Sequence, residues 1–63
     1  MNKLIHTACH QSLKQQKSIK MFLASAVIEG VVTDIQELCV EMRTAAKKRI
    51  IIKLDCVQAI ELD

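Results

Sequence analysis

Three side chains near the start of the chain have the chemistry of metal ligands: His6, with Cys9 and His10 three and four residues after it. Those spacings put side chains on one face of a helix, where two imidazoles and a thiolate can share a cation. A closed zinc site takes four ligands, however, and Cys39 and Cys56 stand too far along the chain to form a second spaced pair. The trio is therefore read as a helix face, with no metal and no cofactor. The same residue types could supply a nucleophile and its base. No glycine-rich turn and no orienting third group accompanies them, and 63 residues leave little room for a cleft. The expectation is no enzyme and no small-molecule substrate.

The cations offer a different chemistry. Lys47, Lys48 and Arg49 are consecutive, Lys53 follows, and Lys14, Lys17 and Lys20 recur at spacings of three near the start. Net charge is only +2, yet it is segregated: residues 1–20 and 43–53 hold bases without acids, and residues 21–42 hold Glu29, Asp34, Glu37 and Glu41 without a base. Clustered Lys and Arg neutralise phosphates and bind a nucleic-acid backbone without reading its sequence. The plainer alternative is a solvated helix end, where cations are favourable by about 0.3–1 kcal/mol whatever the function. Glu29, Asp34 and Glu37 read either as a solvated face or as an acidic docking surface for basic peptides.

Both sets of charges need elements to position them. Half the residues are apolar, but Trp and Tyr are absent and Phe22 is the only aromatic, so there is no aromatic platform for stacking single-stranded bases. Pro is absent and Gly30 is the sole glycine, which removes phosphate-cradling glycine loops and makes a turn-rich β-fold unexpected. Leu4, Ile5, Ala8, Cys9 and Leu13 fit a short helix from about residue 2 to 14. From 21 to 46, Met21, Ala24, Ile28, Val31, Ile35, Leu38, Met42 and Ala45 step by three and four, the pattern of one long amphipathic helix. Such a helix would span ~39 Å, too long for the rest of the chain to cover. A second chain is then required, with Ala24, Ile28, Val31, Ile35, Leu38 and Met42 as the dimer seam. Gly30 fits a close approach of a neighbouring backbone, where two such helices cross. The β-branched run Ile50-Ile51-Ile52 reads as a short buried strand. Asp55, with Gln58 three residues on, has the spacing of a capping box that opens a third helix.

One domain is expected over 1–63. Met1 to Ile5 lacks the apolar run of a signal peptide. Glu29, Asp34 and Glu37 would be costly at mid-membrane, so an intracellular, non-membrane protein is expected.

The stretch from Ala46 through Lys47-Lys48-Arg49, Ile50-Ile51-Ile52 and Asp55 to Ile60 resembles the second loop of the histone fold: a basic triplet, a short β-segment, an Asp cap and a helix. Leu23 to Leu38 is similar to the long helix of core histones. The resemblance implies an all-α histone fold and a handshake dimer, either a homodimer or a pairing with a histone-fold partner. It also implies duplex DNA held without sequence specificity by Lys47, Lys48, Arg49 and Lys53, helped by Lys14, Lys17 and Lys20. Chromosome association, in a nucleus or a nucleoid, follows from it. Ile50 stands where the family usually has Thr, and Lys48 where an Arg often pairs with the capping Asp. The lost Thr and the modest net charge favour the alternative of a histone-fold interaction subunit in a transcription, repair or centromere complex, with little or no direct DNA binding.

Overall fold

The computed structural model describes residues 3–62, and strands dominate it. The order is α1 (Lys3–Gln15), β1 (Ile19–Phe22), β2 (Val27–Ile35), β3 (Cys39–Thr44), β4 (Arg49–Lys53), a 3-10 turn (Leu54–Cys56) and β5 (Ala59–Leu62). The strands form one antiparallel sheet of order β4-β3-β2-β1-β5. The all-α histone fold and the handshake dimer are therefore overturned: the long helix does not exist. The described chain measures 27 × 26 × 22 Å, with no room for a 26-residue rod.

Residues 27–35 show why the strand wins. Six of the nine (Val27, Ile28, Val31, Val32, Thr33, Ile35) are β-branched and lose rotamer freedom in a helix. Alternate residues then fall on one buried face: Ile19 and Met21 on β1, Gly30 and Val32 on β2, Val40 and Met42 on β3, Ile52 on β4. With Cys9, Leu54 and Val57 these side chains make the core, which is aliphatic and sulfur-rich. The supposed seam is scattered. Ala24 and Leu38 are exposed in turns, Ile28, Val31 and Ile35 are half-buried on β2, and Met42 is fully buried on β3. These six residues share no helical face.

Helix α1 lies where its sequence pattern put it, with Ala8, Cys9 and Ser12 buried. It ends on Gln16 in the left-handed region (φ 57°), and the Lys17 N–H returns to the Ser12 carbonyl at 3.3 Å, the closing bond of a Schellman turn. Glycine usually holds that position; here the Gln16 amide instead donates to the orphan Leu13 carbonyl at 2.8 Å. Ser12 also fastens the helix to the sheet. β1 pairs with β2 only as far as Gly30. Past that point the Ser12 hydroxyl accepts the Val32 N–H at 3.0 Å and donates to the Lys17 carbonyl at 2.6 Å.

Gly30 is indeed a site of close backbone approach, but the neighbour is β3. A Cβ there would meet the Arg43 carbonyl oxygen at 2.5 Å. Beyond it, β2 carries a bulge between Val32 and Asp34 that bends the strand, so that one end pairs with β1 and the whole upper half with β3. The capping box is not formed either: Leu54–Cys56 is a single 3-10 turn without a side-chain cap, and β5 takes the place of the third helix.

Candidate nucleic-acid interface

Strand register decides which cations meet. Ile19 lies opposite Gly30, and Gly30 opposite Thr44. The α1–β1 loop (residues 16–18) and the β3–β4 turn (residues 45–48) therefore project from the same end of the sheet. Between them runs an open groove of about 430 Å³ whose walls include Gln16, Ser18, Gly30, Arg43 and Thr44. The turn that forms one wall is tight. Thr44 N–H donates to the Lys48 carbonyl at 3.0 Å, Lys47 N–H to the Thr44 carbonyl at 2.8 Å, and Lys47 adopts φ 63°. Lys47 and Lys48 are thus held at an exposed tip, and exposed Lys17 comes from the facing loop.

The other basic residues behave differently. Arg49 is bound to Glu41 on the neighbouring strand, through Nη2 at 2.7 Å and Nε at 2.9 Å. Arg49 holds the Glu41 carboxyl below its ordinary value of 4.5, with the Thr33 hydroxyl assisting from 2.9 Å. Arg49 is thereby tied to a carboxylate, although its side chain remains 76% exposed. Lys20 stands in register between Glu29 on β2 and Glu61 on β5. Lys53 ends β4, four residue steps from Arg49 and so about 13 Å away from the turn. Lys14 occupies the last turn of α1, where a cation complements the helix dipole.

Arg43 was not among the residues singled out in the sequence. It points outward because Val40 and Met42 on the same strand point in, and no ion pair to it occurs among the described residues. Reading CVEMRT as an alternating strand would have found it; as one turn of a helix it is only another polar residue.

The acidic residues likewise leave the single face imagined for them. Glu29 flanks Lys20 across β1–β2. Asp34 accepts the Ile35 N–H and the Gln36 amide, each at 2.9 Å, and so shapes the β2–β3 turn that contains Glu37. At the α1 end, Cys9 is fully buried with its thiol pKa raised by desolvation, whereas His6 and His10 lie toward the surface. His6, Cys9 and His10 lie on α1, as the helix-face reading has them, and no cluster of three or more His, Cys, Asp or Glu occurs among the described residues.

One short helix on a five-stranded antiparallel sheet in this order is the Sm fold. No family model matches the sequence, and no curated protein matches it. Among solved structures, that of the pleiotropic translational regulator Hfq superposes with a TM-score of 0.82. The match covers 97% of this chain and 92% of that chain, at 13% sequence identity. That degree of identity establishes a shared fold and no residue-for-residue correspondence. The fold overturns histone-like binding of duplex DNA and a histone-fold partner, both implied by the histone resemblance, and nothing in it shows chromosome association. Among the described residues, no helix is long and apolar enough to cross a membrane.

Proposed function

We propose that this chain is an oligomeric RNA-binding module that works on single-stranded RNA within the cell, by binding rather than by bond chemistry. The observation that carries the reading is its superposition on a translational regulator over almost its whole length. Regulation of translation is exerted on RNA, and the groove end of the sheet offers the matching chemistry. Lys17, Lys47 and Lys48 supply phosphate contacts that are indifferent to sequence. Arg43 offers a planar guanidinium, which can stack on an unpaired base where Tyr and Trp are absent.

Assembly is supported by the edges of the sheet. β4 and β5 are outermost, each with one side unpaired among the described residues. Ile51 on β4 is 72% exposed, and on the opposite edge Leu4, Ile60 and Leu62 line an apolar groove of about 370 Å³ between α1 and β5. Joining β4 of one copy to β5 of the next covers both edges. Because the two surfaces differ, the contact is head-to-tail and closes into a ring when the rotation permits.

The test is fluorescence anisotropy of single-stranded RNA and of duplex DNA of equal length, titrated with the full chain at several salt concentrations. RNA should bind more tightly, with affinity falling linearly in log–log against salt at about −0.7 per phosphate neutralised. Charge reversal at Lys47 and Lys48 should weaken binding by about tenfold or more and flatten that slope. Equal affinity for duplex DNA, or binding unmoved by the double reversal, would remove RNA or the turn from the reading.

A further inference from the structure

The flank of α1 carries a pair of groups that the nucleic-acid interface does not use. His6 and His10 are one helical turn apart, and their Nε2 atoms approach to 3.2 Å. The ring centroids are 4.3 Å apart and the planes tilted by 57°, so the rings lean together at their nitrogen tips. In a metal-free pair one Nε2 must carry the proton that the other accepts.

We propose that His6 and His10 form a two-histidine chelate for a divalent first-row transition ion of the Ni²⁺, Cu²⁺ and Zn²⁺ class. With metal–nitrogen bonds of about 2.0–2.1 Å, two ligating nitrogens lie ~2.9 Å apart at a right angle and ~3.4 Å apart at the tetrahedral angle. The observed 3.2 Å falls between the two, so binding requires only small ring adjustments. Imidazole selects this class of ion over Mg²⁺ and Ca²⁺, which take oxygen ligands.

The scaffold is prepared for the task. Both residues lie inside a 13-residue helix, His6 in its first turn and His10 in its middle, and that helix is fixed by the burial of Ala8, Cys9 and Ser12. His10 is exposed and His6 half-buried, so an ion reaches the pair from solvent. Spacing of four along a helix is a known way for two histidines to grip one ion. The buried Cys9 thiol cannot join them, and no third ligand converges among the described residues. Water completes the coordination sphere. Lys3 and Lys14 sit three residues before and four after the pair, and on that face their charges oppose a cation. The site is accordingly one for an exchangeable ion and not for a structural one.

Calorimetric titration of the full chain with Ni²⁺ alone tests the proposal. One ion per chain should bind, Cu²⁺ more tightly than Ni²⁺, with millimolar Mg²⁺ failing to displace it. His10→Ala should weaken binding by about tenfold or more, since loss of even a supporting group around a metal site costs that much. A second variant, His10→Ala combined with Gln11→His, keeps two histidines but spaces them by five, and should bind as weakly as His10→Ala. Circular dichroism beforehand establishes that each variant is folded. Cys56→Ser should leave binding unchanged, which separates the pair from the exposed thiol. Retained affinity in either His10 variant, loss of binding in Cys56→Ser, or no Ni²⁺ binding by the parent chain would overturn the site.

Discussion

Ser12 shows how much one hydroxyl can do in a small domain. It is 2% exposed, and it serves two backbone groups that lie just ahead of the first residue of β1, Lys17 in sequence and Val32 across the sheet. In effect, a side chain pairs with β2 where β1 has not yet begun. Replacement by alanine leaves the Val32 N–H and the Lys17 carbonyl without that partner. Ser12→Ala is therefore expected to cost about 1–3 kcal/mol, the penalty of a polar group left unsatisfied away from water. Chemical denaturation should show a lower midpoint with an unchanged slope. A midpoint equal to that of the parent chain would mean that water replaces the hydroxyl there. At this scale the sequence was a poor guide. Ser12 sits among the residues of an amphipathic helix and reads as ordinary surface, because its partner at Val32 is twenty positions away and visible only in the fold.

At the scale of elements, the close passage of β2 past β3 makes the sharpest demand on residue type. Gly30→Ala would press a methyl group against the Arg43 carbonyl carbon and oxygen, and backbone cannot rotate away as a side chain can. A loss of roughly 3 kcal/mol is expected, at the upper end for overpacking; thermal unfolding measures it, and an unchanged melting temperature would show that the strands separate freely. Two elements could be read directly from the residues: α1 from its apolar spacing, and β4 from three consecutive isoleucines. The region between them could not, for two physical reasons. A separation of seven residues, as from Met21 to Ile28, is two turns of a helix, but it is also a facing pair across a hairpin, which is what the register shows. The turns themselves use Ala24-Ser25-Ala26, Gln36-Glu37-Leu38 and Ala45-Ala46-Lys47-Lys48. Those are mostly good helix formers, and even the left-handed positions hold Gln16 and Lys47 where glycine is usual. With the usual turn markers missing, the helical reading had no visible competitor. The candidate interface fared in between: the loops that carry Lys17, Lys47 and Lys48 project from one end of the sheet, Arg49 is paired with Glu41, Lys20 stands in register between two glutamates, and Arg43 emerges only from strand alternation.

For the whole molecule, the sheet's two free edges are its most consequential feature, and assembly is the property to test there. Ile51→Lys adds a charge to the β4 edge at a position that is already 72% exposed, so the single chain should fold as before while edge-to-edge pairing is opposed. Light scattering should give an oligomer for the parent chain and a smaller species for the variant. An oligomer that survives the change would place the contact elsewhere. The sheet also has an order in time. β1 to β4 pair as successive hairpins, each closing over a short turn, whereas Ile19 meets Leu62 only after nearly the whole described chain has been brought round. Closing so long a loop is entropically costly until the meander exists to receive it. β5 is accordingly expected to dock last and release first, with its amides exchanging hydrogen ahead of those at Val32 and Met42. One of the two edges proposed to build an assembly is then also the strand that the chain acquires at the end of its own folding.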